Sequence, residues 1–128
     1  LKQKDVVLFF YPRANTPGCT KESIAFGEHL EQFKAADCAV YGVSADSLKK
    51  QQNFKNKYKM PFELVADVDE VLCKAFDVIQ EKNMYGKKFM GIVRSTFVLN
   101  QHGEILAEWR KVKVAGHVEE VLQSVTNL

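Results

Sequence analysis

The 128-residue sequence lacks the features that mark membrane-spanning and nucleic-acid-binding chains. It has no apolar run close to the roughly 20 residues that span a bilayer, and no secretion signal is visible in it. Its 18 basic and 16 acidic side chains are mixed along the chain and leave a net charge of only +2. We therefore expect neither a membrane nor a nucleic acid among its partners.

Cysteine is scarce, and the cysteines do not form a recognisable pair. The chain has three, Cys19, Cys38 and Cys73, so at least one lies outside any internal disulfide. Their spacings match no zinc motif, and neither C-x-x-C nor H-x-x-x-H occurs. We expect no metal or other cofactor, and free thiols in a reducing compartment, either the cytoplasm or an organelle.

What the sequence does contain is an alternation of short apolar runs and amphipathic segments. Strands are predicted at 5–11, 38–43 and 62–67 and in a hairpin over 95–112; helices are predicted at 20–33, 47–58, 68–78 and 117–128; and 79–91 is predicted as a loop with at most irregular strand. Alternating strands and helices favour a parallel sheet covered on both faces, to which the late hairpin adds antiparallel strands. We expect one α/β domain over residues 1–128, a thioredoxin-like sandwich with a mixed central sheet flanked by helices.

The loop "PRANTPGC" leads from the first strand into the first helix. Thr16 suits the N-cap and Pro17 the first helical position, which puts Cys19 at the third. A thiolate there is stabilised by unpaired backbone N–H groups and by the helix dipole. Gly18 allows another group to approach the backbone closely, and Pro12 stiffens the loop. The alternative interpretation is an ordinary helix cap beside an inert, partly buried cysteine.

Thr16 occupies the place where a dithiol oxidoreductase has its second cysteine. A hydroxyl beside the sulfur suits a small substrate with two adjacent oxygens better than it suits dithiol exchange. Attack of the Cys19 thiolate on a peroxide oxygen would give a sulfenic acid.

Two separated blocks carry a family resemblance. P-R-A-N-T-P-G-C-T-K-E resembles the P-x-x-x-T-x-x-C signature of peroxiredoxins, and "FFYPRANTPGCTKES" is most similar to the peroxiredoxin Q branch, also called bacterioferritin comigratory protein. "YGKKFMGIVRSTFVLNQHGEI", residues 85–105, resembles the segment that supplies the family's catalytic arginine. The resemblance runs over nearly the whole chain, although we expect the family's segment before the first strand to be absent.

The resemblance implies a role for each motif residue. Cys19 would be the peroxidatic nucleophile, Thr16 would hydrogen-bond the peroxide, and Pro12 would shield the pocket from water. Arg94 would stabilise the thiolate and the charge that develops on the oxygens; its alternative is a surface arginine at a strand end. Glu22, one turn after Cys19, would disfavour the thiolate, so we expect it to pair with Arg94 and orient it.

The implied activity is that of a thiol-dependent peroxidase for hydrogen peroxide and organic hydroperoxides, in antioxidant defence and redox homeostasis. An external thiol such as thioredoxin or glutaredoxin would act as reductant, and the protein would be a monomer or weak dimer. The alternative function is a non-catalytic thioredoxin-fold peroxide sensor or redox-binding protein.

The chain departs from the family at the resolving cysteine. Many members carry it five residues after the peroxidatic one, where Ile24 stands here, or in the helix at 47–57, which has none. We therefore expect a cycle that uses a single cysteine. Cys73 is a possible resolving residue if local unfolding brings it to Cys19, although Cys38 and Cys73 fit core packing better.

Overall fold

A five-stranded sheet is built around β1, Asp5–Phe10, whose apolar side chains are buried or half-buried on both faces. The computed structural model describes residues 5–14, 17–110, 112 and 116–126. β1 pairs with β2 in parallel and with β6 in antiparallel orientation, and the full order is β3-β2-β1-β6-β7. The other strands of the sheet are β2 (Cys38–Ser44), β3 (Leu64–Ala66), β6 (Ser95–Asn100) and β7 (Ile105–Trp109).

Helices and a separate hairpin surround this sheet. The helices are α1 (Pro17–Glu28), α2 (Leu30–Ala35), α3 (Leu48–Tyr58), α4 (Val71–Ala75) and α5 (His117–Thr126), and the hairpin consists of β4 (Ile79–Met84) and β5 (Lys87–Ile92). Within the described ranges, no helix is long and apolar enough to cross a membrane.

The alternation of side chains along β1 divides the core into two layers. Val7 and Phe9 face one side of the sheet, where they pack with residues of α1, α2 and α5. Phe10 faces the other side and packs with Phe97 of β6 and Cys73 of α4. The architecture is the predicted one, a mixed sheet flanked by helices on both faces.

The first helical region differs from the single helix predicted at 20–33. It begins at Pro17, the first helical position that the loop sequence predicts, and it is divided at His29 into α1 and α2. The Gln32 N–H donates to the His29 carbonyl at 3.0 Å, a three-residue spacing that tightens the backbone there. The Phe33 N–H donates to the same carbonyl at 3.1 Å, and His29 itself (φ −100°, ψ 6°) departs from regular helical backbone angles, which divides the helix there.

The segment 79–91, predicted as a loop, forms most of the β4–β5 hairpin. Most side chains of β5 are exposed, so the pattern of alternating apolar residues that marks a half-buried strand is missing. Tyr85 (φ 53°) and Gly86 (φ 78°) connect the strands in a two-residue turn with positive φ, the type that suits hairpin twist. Among the hairpin side chains that the structure describes, those of Ile79 and Ile92 at the base pack in the core.

The inward face of α3 also differs from expectation at one residue. The sequence of this polar helix predicts that Leu48 and Phe54 both face inward; Phe54 is buried, but Leu48 is 60% exposed. The two residues are six positions apart, which turns their side chains by about 120° relative to each other. Gln51 takes the inward position; it accepts a hydrogen bond from the Tyr11 hydroxyl at 2.5 Å and donates to the Val65 carbonyl at 2.8 Å.

We expect Tyr11→Phe to lower the free energy of unfolding by about 1–3 kcal/mol, because it leaves the buried Gln51 Oε1 without a donor. Urea denaturation measures the change. Tyr41→Phe, which removes a hydroxyl from a half-buried tyrosine of β2, is the matched control. Equal stability of the two variants would contradict the prediction.

Candidate active site

Cys19 lies in the first turn of α1, two residues after Pro17, and its side chain is only 1% exposed. Because the first turn of a helix leaves backbone N–H groups unpaired at the positive end of the dipole, this position favours a thiolate. The location agrees with the sequence prediction. Thr16 lies outside the described residues, so its predicted hydrogen bond to peroxide stays a prediction.

Arg94 connects Cys19 to Glu22. It lies immediately before β6, and the antiparallel pairing of Phe10 with Ser95 places it next to the end of β1. Its Nη2 donates to Cys19 Sγ at 3.3 Å, and its Nη1 donates to Glu22 Oε1 at 2.9 Å. The expected pairing of Glu22 with Arg94 is therefore present, and one planar guanidinium holds both groups.

Gly18 makes room for this guanidinium. A Cβ at Gly18 would lie 3.0 Å from Arg94 Nη2, tighter than ordinary van der Waals contact. The close approach that the glycine was expected to allow is thus the approach of Arg94. A larger residue would push the guanidinium away from Cys19.

Burial and charge act in opposition on the ion pair. Glu22 is fully buried, and burial raises its pKa to about 7 even though the positive charge of Arg94 acts in the other direction. Burial also disfavours the charged form of Arg94, but Glu22 and Cys19 outweigh that effect, so the pKa of Arg94 rises. Arg94 therefore stays positive beside the sulfur, and Glu22 is the group whose charge depends on pH.

The loop before α1 is held by Asp46, a residue to which the sequence pattern assigned no role. Its Oδ2 accepts hydrogen bonds from the Ala14 N–H and from the Ser44 hydroxyl, each at 2.7 Å. Ser44 ends β2, and the carboxyl ends of parallel strands lie at one edge of the sheet, here the edge with the loop. A Ser-x-Asp sequence directly after a predicted strand is the signal that could have found it. Pro12 in the same loop is exposed, and its shielding role stays a prediction.

The two other cysteines lie apart from this arrangement. Cys73 is buried in the core layer on the opposite face of the sheet from Cys19. Burial, together with the adjacent Asp67, raises the pKa of Cys73 to about 12. Cys38 is also fully buried, and burial followed by the charge of Asp5 raises its pKa to about 12. All three thiols are free.

The described part of the chain has no group of three or more His, Cys, Asp or Glu side chains placed to hold a metal ion. The described side chains place a sulfur next to a fixed cation, with a carboxylate on the other side of the cation.

Known proteins are similar to this chain in sequence and in structure. Residues 1–108 match the model of the AhpC/TSA family. Peroxiredoxin Bcp of Xanthomonas campestris pv. campestris is 52% identical over 120 residues, which cover 94% of this chain and 75% of that protein. Peroxiredoxin Bcp of Bacillus subtilis is 46% identical over 127 residues, which cover 99% of this chain and 81% of that protein.

A solved structure of another protein is similar to the structure of this chain. The bacterioferritin comigratory protein of Xanthomonas campestris, studied for alkyl peroxide reduction in trapped intermediate and ligand complexes, superposes with a TM-score of 0.93. It is 49% identical, and the match covers 98% of this chain and 80% of that one.

Gly18→Ala should lower the rate of Cys19 alkylation by iodoacetamide at neutral pH by about ten-fold, because the displaced guanidinium no longer donates to the sulfur. Peptide mass spectrometry of Cys19 over time measures the rate. Gly27→Ala is the control in the same helix, since its Cβ would meet the Pro61 ring at 3.2 Å and not the site. Equal slowing in both variants would show that the effect does not come from Arg94.

Glu22→Gln should remove a pH dependence of stability. With a pKa of about 7 against an ordinary 4.5, Glu22 keeps its proton longer in the folded state than in the unfolded state. The wild type should therefore lose stability relative to Glu22→Gln as pH rises through this window, by on the order of 3 kcal/mol. Urea denaturation at several pH values measures the gap, with the exposed Glu28→Gln as control. A constant gap between wild type and Glu22→Gln would refute the prediction.

Proposed function

Because the chain belongs to the AhpC/TSA family, we propose that it is a peroxiredoxin, a thiol-dependent peroxidase that reduces hydrogen peroxide and organic hydroperoxides. The observation that carries the proposal is the Arg94 guanidinium, which donates to Cys19 Sγ and to Glu22 Oε1 at once. A fixed cation in contact with a helix-terminal thiol is what a nucleophilic sulfur requires.

In the proposed reaction the Cys19 thiolate attacks the terminal oxygen of a hydroperoxide. A sulfur–oxygen bond forms and the oxygen–oxygen bond breaks, so the sulfur is oxidised by two electrons and the peroxide is reduced. The leaving hydroxide or alkoxide takes a proton from solvent, which gives water or an alcohol and leaves Cys19 as a sulfenic acid. Arg94 stabilises the thiolate before attack and the charge that develops on the oxygens during it.

Glu22, Thr16 and Pro12 have supporting roles in this proposal. Glu22 orients Arg94, and the 2.9 Å ion pair supports that role. The Thr16 hydroxyl binds the peroxide, and Pro12 limits access of water. The position of Thr16 and Pro12 in the loop that leads to Cys19 supports these two assignments.

We propose that an external thiol completes the cycle. The thiol condenses with the sulfenic acid to give a mixed disulfide and water, and a second thiol releases Cys19 and leaves with the first as a disulfide. Thioredoxin, glutaredoxin or a small thiol could serve. The burial of Cys38 and Cys73, and the separation of Cys73 from Cys19 by the sheet, support this cycle over one with an internal resolving cysteine.

The state of the thiols also bears on the cellular compartment. Free thiols support a reducing compartment such as the cytoplasm. We propose that the whole chain forms one domain and acts as a monomer or weak dimer.

With a thiol reductant present, Cys19→Ser should lower the rate constant of peroxide consumption by at least about a thousand-fold, whereas Cys73→Ser should keep the parent rate. Stopped-flow mixing with hydrogen peroxide and with an alkyl hydroperoxide measures both. Undiminished consumption by Cys19→Ser would disprove the peroxidase. A parent protein that is oxidised once, without turnover by any reductant, would instead be a sensor.

Intact-mass spectrometry after one equivalent of peroxide tests the single-cysteine cycle. The expected product is a gain of about 16 Da at Cys19, trapped by a sulfenic-acid reagent. A stable loss of two hydrogens that maps to a Cys19–Cys73 disulfide would establish an internal resolving cysteine instead.

A further inference from the structure

Lys82 has an unusual path across the β4–β5 hairpin. It pairs with Phe89 in the antiparallel register, and its side chain is half-buried although the hairpin is mostly exposed. A Cβ at Gly91 would lie 3.2 Å from Lys82 Cδ and 3.5 Å from Lys82 Cε. The aliphatic part of Lys82 therefore lies over Gly91, in space that any other residue at position 91 would occupy.

This path takes Lys82 toward the strand that leads to the site. Gly91 is three residues before Arg94, and the base of the hairpin is fixed because the Val93 N–H donates to the Val78 carbonyl at 2.7 Å. The charges of Arg94 and Cys19 both act on the ammonium group. Burial, followed by the positive charge of Arg94, lowers the pKa of Lys82, while the negative charge of Cys19 acts to raise it.

Lys88, another lysine of the hairpin, pairs with an acidic side chain. Lys88 lies 3.7 Å from Glu81, and both side chains are largely exposed. Glu81 and Lys82 are adjacent in β4, so their side chains point to opposite faces of the hairpin. Among the described carboxylates, none forms an ion pair with Lys82. Its charge is thus available to the site and is not neutralised locally.

We propose that Lys82 is a positioning residue of the Cys19 site, which supplies a second positive charge that acts on the thiolate and on the leaving oxygen without touching either. Arg94 contacts the sulfur directly, whereas Lys82 acts through its charge at longer range. The part of the proposal that concerns the leaving oxygen rests on the proposed peroxidase function. The part that concerns the thiolate does not.

A purely structural role for Lys82 predicts something different. If the side chain served only to cover Gly91, an uncharged chain of similar length would replace it without effect on Cys19. Lys82→Met keeps most of the aliphatic contact and removes the charge, and Lys82→Arg keeps the charge. Lys87→Met removes an exposed lysine from the same hairpin and serves as control for the change in net charge.

The experiment compares the alkylation of Cys19 by neutral iodoacetamide and anionic iodoacetate at pH 7 and low salt. Lys82→Met should react about three- to ten-fold more slowly than wild type with iodoacetamide, since one charge beyond contact distance has an effect of that order. The loss should be larger with iodoacetate, because the positive charge of Lys82 also attracts this anionic reagent and Lys82→Met removes that attraction. Lys82→Arg should restore both rates, and Lys87→Met should leave both close to wild type.

The result that overturns the proposal is equal behaviour of Lys82→Met and Lys87→Met with both reagents, or a loss in Lys82→Met that Lys82→Arg does not restore. Thermal melting of each variant controls for misfolding. Because alkylation requires no peroxide, the effect of Lys82 on the thiolate is decided even if the wild type proves not to reduce peroxide. In a working peroxidase, the same order of rates should be found in stopped-flow peroxide consumption.

Discussion

The candidate site depends on one arginine that contacts two side chains at once. Arg94 donates to the sulfur of Cys19 and to the buried carboxylate of Glu22 from a single planar group. The pairing of β1 with β6 sets its position, and the missing side chain of Gly18 permits the approach. Asp46 holds the preceding loop against the end of β2. Sheet register, loop and helix start thus all serve to place one sulfur against one cation.

Glu22 explains how a carboxylate can lie one turn from a thiolate site. In isolation its charge would oppose that of the sulfur. Because Glu22 is buried and paired with Arg94, it fixes the orientation of the guanidinium and favours its charged form. The guanidinium thus lies between the sulfur and the carboxylate. Because the carboxylate is buried, the protonation of Glu22 depends on pH near neutrality.

Much of the fold and of the candidate site was predictable from the sequence, because local patterns of apolar residues and short motifs determine them. The alternation of strands and helices predicted a mixed sheet, and the thioredoxin-like fold is confirmed. The helix position of Cys19 follows from its neighbours. Asp46 was missed because its contact with Ala14 joins residues 32 positions apart, and the path of Lys82 was missed because its hairpin was predicted as a loop. Leu48 was wrongly placed because a six-residue spacing does not keep two side chains on one helix face.

The contacts of Arg94 join residues that are far apart in sequence, which affects when the site forms in the nascent chain. Arg94 is 75 residues after Cys19 and 72 after Glu22. During synthesis, which runs from the amino end, the thiol leaves the ribosome well before its cation exists. Cys19 gains its contact with the guanidinium only when β6 closes against β1, so this contact forms together with the completed sheet. Until then the sulfur has no cation beside it, so the local sequence around Cys19 cannot form the site by itself.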